Sequence, residues 1–333
     1  MLANLLRILY RININYYFVF ARVPTGGLDF APADETYAGW GVAQLRHWFR
    51  VVLGLGRESR TGAPGPVAIN RTCGIVEVHR ESAVLNVPKC PDSAVLWHSV
   101  SLVKGRYPPH FINLWEKYDN EKGSENDHPE LFGDNQLFAV LELKFAGSDM
   151  ANFKFLNSEQ SYYALKQIIL ALAVGEEAYQ FEHRDLHLGN ILIEYTNKKH
   201  VICTFKNTKL TVPSKGVNVT IIDYTLSRIT INDCCYFNDL SRDEELFQAT
   251  GDYQYDVYRM MRNEVKNNWS SFSPKTNIIW LSYVIVKILD SVKYKSINTK
   301  VHRMYINKIK ELQNIIMTFQ SASQCANYLF NLN

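Results

Sequence analysis

The chain has 333 residues, 47% of them hydrophobic and 21% charged. That is enough to bury one large core or two moderate ones, and too balanced for wholesale disorder. A formal net charge of +3 argues against a dedicated polyanion binder, so no sequence-specific nucleic-acid partner is expected. Six cysteines, Cys73, Cys90, Cys203, Cys234, Cys235 and Cys325, form no CxxC pair and no zinc spacing, and fit free thiols in a reducing compartment.

The first twenty residues are apolar but carry Arg7 and Arg11. No uninterrupted apolar run approaches the roughly 20 residues that span a bilayer, so no membrane partner is expected and the segment reads as a core helix or a leader. Ala21-Arg22-Val23-Pro24 is a poor signal-peptide cleavage site. Residues 54–66, rich in Gly and Pro, read as a loop or linker, and the acid-rich stretch 118–135 as a surface loop. Residues 136–145 carry a strand signal. A helix is predicted over 157–180, capped by Asn157 with Gln160 three residues on, with Leu165, Ile168, Ile169 and Leu172 along one face.

Two short apolar runs follow, Ile191–Tyr195 and Val219–Ile222. The Lys206-Asn207-Thr208-Lys209 sequence between them reads as a hairpin turn. Helices are predicted over 253–267, 276–291 and 300–319. The last carries Val301, Tyr305, Ile309, Leu312, Ile316 and Phe319 at helical spacing, a core-facing stripe. The order implies an α+β, two-lobed fold with an incomplete strand-rich N-lobe, a helical C-lobe and a cleft near residues 143–149. The divisions expected are 1–65, a divergent leader and linker; 66–146, a partial N-lobe with its hinge; and 147–333, the C-lobe.

The chemistry is concentrated in HRDLHLGN, His183 to Asn190, and in IIDYTLSR, where Asp223 leaves a strand. Phosphoryl transfer needs a carboxylate to orient the acceptor hydroxyl and oxygen ligands for a phosphate-bridging magnesium ion. Asp185 suits the first task, and Asn190 with Asp223 the second. The kinase catalytic-loop pattern H-R-D-x-x-x-x-N is matched at every specified position. Asp223-Tyr224-Thr225 stands where most kinases have Asp-Phe-Gly. Without the glycine, this loop is expected to hold one conformation.

The sequences FEHRDLHLGNILI, IIDYTLSR and GDYQYDVYRMM resemble the haspin family of atypical protein kinases, as do KGRYPPHFINLWEKYDNEKGSENDHPELFGDNQLFAVLE, NNW and NIIWLSY. The likeness runs from about His98 to the C-terminus. It implies a kinase-like fold and a monomeric serine/threonine kinase using ATP and Mg2+. Its substrate would be a threonine in the N-terminal tail of histone 3, on mitotic chromatin in the nucleus, with the cytoplasm as an alternative location. It implies Asp185 as catalytic base, and Asn190 and Asp223 as magnesium ligands. It further implies Leu143 as gatekeeper, Lys144, Phe145 and Gly147 as hinge, and Asp149 as ribose contact.

Independently, seven acids and one base, Arg242, fall between Asn232 and Asp256, a field that would attract a Lys/Arg-rich tail. Asp252 is the candidate contact for the substrate cation, while Asp256 reads as structural.

The N-terminal part of the pattern is missing. Gly54-Leu55-Gly56 lacks a third glycine, and Val67-Ala68-Ile69-Asn70 imitates the strand-lysine motif with an uncharged Asn70. Two alternatives therefore stand beside an active kinase. One is a catalytically impaired pseudokinase or binding scaffold. The other is a small-molecule phosphotransferase, since H-x-D-L-H-x-G-N loops also occur in aminoglycoside and choline kinases.

Overall fold

The computed structural model describes residues 10–13, 16–23, 69–70, 75–76, 97–124 and 126–332. The chain divides into two compact units, Met1–Val84 with Leu96–Phe145, and Leu85–Val95 with Ala146–Asn333. Gly54, Gly56, Val67 and Ala68 lie outside the described residues, as does the Gly/Pro-rich stretch 54–66.

The first unit holds an antiparallel six-stranded sheet. Its strands are β1 (Tyr10–Asn13), β2 (Tyr16–Val23), β3 (Ile69–Asn70), β4 (Ile75–Val76), β5 (Trp97–Lys104) and β6 (Leu137–Lys144), in the order β1-β2-β6-β5-β4-β3. The expected N-terminal core helix is corrected: β2 pairs along its whole length with β6, from Tyr16↔Lys144 to Val23↔Leu137. Consecutive aromatic and β-branched residues, Tyr16 to Phe20, suit a pleated strand better than a helix. The 118–135 loop is corrected in part, because helix α1 (Pro109–Lys122) runs into it. Pro109 opens α1, where its missing N–H costs nothing, and Gly123 at φ +73° ends it. Trp115 of α1 is buried edge-on to His128, with ring centroids 4.6 Å apart.

The second unit contains β7 (Ser148–Asp149), β8 (Lys154–Phe155), α2 (Ser158–Tyr179), β9 (Ile191–Tyr195), β10 (His200–Phe205), β11 (Thr208–Pro213), β12 (Val217–Ile221), β13 (Ile229–Ile231) and β14 (Cys234–Tyr236). It continues with α3 (Glu244–Gln248), α4 (Tyr253–Glu264), α5 (Lys275–Asp290), β15 (Lys293–Tyr294), α6 (Lys300–Ile315) and α7 (Ala322–Phe330).

Helix α2 starts where Asn157 accepts the Glu159 N–H at 2.9 Å, and Gln160 Oε1 accepts the Leu156 N–H at 2.8 Å. Its face of Leu165, Ile168, Ile169 and Leu172 is fully buried. The predicted hairpin is present: Phe205 pairs with Thr208, and Lys206 and Asn207 take φ of +47° and +63°. Two positive φ values in a two-residue loop match the right-handed twist of the flanking strands. The stripe on α6 is buried at Tyr305, Ile309 and Leu312, but Val301 is exposed, and a 3-10 turn over Ile316–Thr318 replaces the last helical turn.

Helix α5 is buried at every position from Thr276 to Ile285, with Trp280 fully enclosed. Apolar contact all round makes it the central post of this unit. Sheet β12-β9-β7 packs onto the same core, with every residue of β12 buried. Cys203 and Cys325 are buried, Cys234 and Cys235 are exposed, and all four are free thiols. Among the described residues no helix is long and apolar enough to cross a membrane.

Candidate active site

The loop after α2 is pinned by backbone bonds before any side chain acts. Glu182 and Arg228 exchange N–H and C=O bonds at 2.9 Å each. The His183 N–H donates to Asn277 Oδ1 on α5 at 3.0 Å. Arg184 sits at φ +63°, which turns its side chain inward. Its guanidinium donates to both Glu182 oxygens, at 3.1 and 3.0 Å, and to the carbonyls of Trp269 and Ser271 at 2.8 and 3.2 Å. Glu182 also accepts from the Ser273 N–H and the Thr276 hydroxyl. Arg184 is thus an internal strut, committed on every side.

Asp185, Asn190 and Asp223 converge on this loop. Asn190 Nδ2 donates to the Asp185 carbonyl at 2.8 Å and, more loosely, to Asp185 Oδ2 at 3.4 Å. With its nitrogen so used, Asn190 presents Oδ1 as its acceptor end. The end of β12 is stitched to the same loop by two bonds. The Ile222 N–H donates to the Asn190 carbonyl at 2.9 Å, and His183 Nε2 lies 3.1 Å from the Ile222 carbonyl. His183 Nδ1 accepts the Asp185 N–H at 3.3 Å, so its proton sits on Nε2 and points to Ile222. Burial pushes this imidazole down to about 3, keeping it neutral in that role.

Asp223 takes φ +63°, and its Oδ1 accepts from the Thr225 hydroxyl at 2.7 Å and the Thr225 N–H at 3.2 Å. Tyr224 donates to the Ile221 carbonyl at 2.7 Å and packs edge-on to Phe181. The three-residue segment is therefore held by its own side chains.

Burial, and then the nearby Asp223 charge, lift the Asp185 carboxyl well above the usual carboxylate range. Hydrogen bonds from Tyr258 and Asn190 act against that rise. The Asp185 and Asp223 carboxylates lie close enough for the charge of Asp223 to act on Asp185, and with an amide oxygen beside them they suit a hard divalent cation. Among the described residues no three His, Cys, Asp or Glu side chains form a cage of their own. Magnesium needs none, since it is bound by one or two protein oxygens with phosphates and water completing its shell.

Of the expected nucleotide contacts, Lys144 is exposed at the end of β6 and Phe145, half-buried, closes the first unit. The side chain of Leu143 lies outside the described residues. Gly147 begins the second unit's sheet at φ +97°, where a Cβ would lie 1.9 Å from the Ile193 carbonyl oxygen, so only glycine fits. Asp149 pairs with Leu192 across β7 and β9, and its carboxylate accepts from the Asn152 N–H and side-chain amide at 2.9–3.0 Å.

Asp252 caps α4 by accepting the Gln254 N–H at 3.0 Å, and its other oxygen meets Lys287 Nζ at 2.6 Å. The one-signed acidic field is corrected in this respect. Folding brings Arg262 to Glu244 at 2.8 Å, Arg259 to Asp256 at 2.7 Å and Lys287 to Asp252, all bases outside the counted segment. Asp256 lies on α4, more than half exposed and paired with Arg259 one turn on.

Three side chains important to the arrangement escaped the sequence reading. Asn277 and Tyr258 act from helices distant in the chain, and Glu182 stands one residue before the motif. The NIIWLSY and GDYQYDVYRMM stretches containing Asn277 and Tyr258 carried family likeness but no assigned task for either residue.

The family model described as Haspin like kinase domain matches residues 75–330, beginning ahead of the His98 expected. The serine/threonine-protein kinase haspin homolog of Drosophila melanogaster is 93% identical over 234 residues, 70% of this chain and 41% of that protein. Serine/threonine-protein kinase haspin of Bos taurus is 38% identical over 260 residues, 76% of this chain and 33% of its own. Its Mus musculus counterpart is 40% identical over 238 residues, 70% and 32% of the two chains. The chain spans less than half the length of these curated relatives.

Proposed function

The chain belongs to the haspin-like kinase family, and we propose that it transfers the γ-phosphate of ATP to a threonine of a basic protein tail, that of histone 3. The observation that carries this is the convergence of Asp185, Asn190 and Asp223 on one hydrogen-bonded loop. Asn190 Oδ1 and the Asp223 carboxylate would hold magnesium. Bound there, magnesium would supply positive charge against the phosphates. Asp185 would accept the acceptor hydroxyl's hydrogen bond and take its proton as the new oxygen–phosphorus bond forms, while the bond from the γ-phosphorus to the β-phosphate oxygen breaks and ADP leaves. Lys144, Phe145 and Gly147 would meet adenine through backbone groups, with Asp149 at the ribose. Asp252 would meet a cationic side chain of the tail.

A histone tail accounts for the surplus of acids between Asn232 and Asp256. Asp233 and Glu245 have no ion-pair partner among the described residues. The family likeness supports a reading in which it acts on chromatin in mitosis, in the nucleus. The test is phosphate incorporation from ATP and magnesium into a histone 3 tail peptide. Transfer to the threonine peptide and none to a Thr→Val peptide is expected. Equal incorporation into both would overturn the substrate assignment.

A second reading is a nucleotide-binding scaffold with impaired turnover. It is favoured by the family match starting only at residue 75 and by an uncharged Asn70 in the strand that imitates the lysine motif. Stabilisation by ATP and magnesium in a thermal melt, with no peptide phosphorylation, would select it.

A further inference from the structure

Tyr258 lies 73 residues from Asp185 in sequence, yet its hydroxyl donates to Asp185 Oδ1 at 2.5 Å. The ring is buried and stands edge-on to Trp280, with centroids 5.3 Å apart and planes at 76°. Its helix is held on both sides: Val257 and Met261 are fully buried, and Arg259 Nη1 donates to the Phe247 and Ala249 carbonyls at 2.9 Å each. The hydroxyl is therefore delivered by packed helix, and not by a loop free to adjust.

A carboxylate has a soft, two-fold terminal torsion, so one hydrogen bond from its own loop leaves its plane poorly fixed. Asn190 reaches Oδ2 at only 3.4 Å. The short bond from Tyr258 to Oδ1 sets the plane and leaves Oδ2 to face an incoming hydroxyl. A misdirected acceptor oxygen slows phosphoryl transfer without changing how substrates bind, because catalysis here depends on alignment.

We propose that Tyr258 is a positioning residue for the phosphate-accepting step, acting through the Asp185 carboxylate. This rests on the reading of Asp185 as the group that receives the acceptor hydroxyl. It assigns to the family-like GDYQYDVYRMM stretch a task in the chemistry beyond packing.

The experiment compares full-length Tyr258→Phe with wild type for kcat, for KM of both ATP and tail peptide, and for thermal melting. Loss of a hydrogen bond to a charged group predicts a fall in kcat of about ten- to one hundred-fold, with both KM values within about two-fold. In an Asp185→Ala background the same substitution should leave the residual rate unchanged. Placing 3-fluorotyrosine at 258, which keeps ring and hydroxyl, should hold kcat within about three-fold of wild type and covers the case in which the Phe variant folds poorly. Wild-type kcat in Tyr258→Phe, or an equal loss in the Asp185→Ala background, would overturn the positioning role. A wild-type rate in Asp185→Ala alone would instead overturn the assignment of Asp185, and this role with it.

Discussion

The Arg184 guanidinium is clamped on the carboxylate of Glu182, two residues before it, through two bonds of 3.0–3.1 Å, and both side chains are fully enclosed. The pair joins the His183–Asn190 loop to the Trp269–Thr276 segment, because Arg184 also binds the Trp269 carbonyl and Glu182 the Thr276 hydroxyl. Removing one member strands a buried charge. Arg184→Ala is expected to destabilise by about 3–5 kcal/mol, and the double variant Glu182→Gln/Arg184→Met by less. Denaturant unfolding followed by tryptophan fluorescence measures both. A double variant weaker than the single one would contradict the pairing.

Gly147 admits no side chain. Its φ of +97° and the 1.9 Å approach of a Cβ to the Ile193 carbonyl oxygen require the sheet to open in Gly147→Ala. A loss of more than about 2 kcal/mol is expected, since left-handed strain adds to the steric overlap. A melting temperature equal to wild type would show that β7 does not lie on β9 as described.

Much of this site was legible because its residues are contiguous. HRDLHLGN gave Asp185 and Asn190 their spacing, the strand before Asp223 fixed where that carboxylate emerges, and Asn157 marked the start of α2. What could not be read depends on tertiary contact. The acids between Asn232 and Asp256 look unopposed until Arg259, Arg262 and Lys287 swing over from α4 and α5. Tyr258 and Asn277 look like core helix residues, and only the fold points their polar ends at the loop. The first twenty residues read as helix because short apolar runs carry too little periodicity to separate the two periods, whereas Tyr16–Val23 is a strand.

Glu176 on α2 accepts the N–H groups of Ala322 and Ser323 at the start of α7, at 2.9 and 2.8 Å, and the Asn277 amide at 2.9 Å. Burial raises its carboxyl from 4.5 to about 7, against those hydrogen bonds. A raised carboxyl means the protonated form is favoured by the fold. Its contribution is full below about 4.5 and is lost as pH rises through about 7. Between those values, Glu176→Gln should make the slope of stability against pH more positive by up to about 1.4 kcal/mol per unit. Urea midpoints at several pH values measure the slope, and parallel profiles for the two proteins would contradict the assignment.

Lys287 occupies the Asp252 carboxylate that a substrate cation would use. Lys287→Met is expected to change stability by no more than about 1 kcal/mol, since the pair is partly exposed. It should also lower KM for an Arg/Lys-rich tail peptide while leaving KM for ATP unchanged. An unchanged or raised peptide KM would place the tail's cation elsewhere.

The central claim is that Asp185, Asn190 and Asp223 form one reaction centre. Single-turnover phosphate transfer from magnesium–ATP to the tail peptide, wild type against Asp185→Asn, tests it most directly. The expected result is a fall in rate of about 10²–10⁴-fold, with nucleotide affinity and melting temperature retained. Equal single-turnover rates in the two proteins would contradict it.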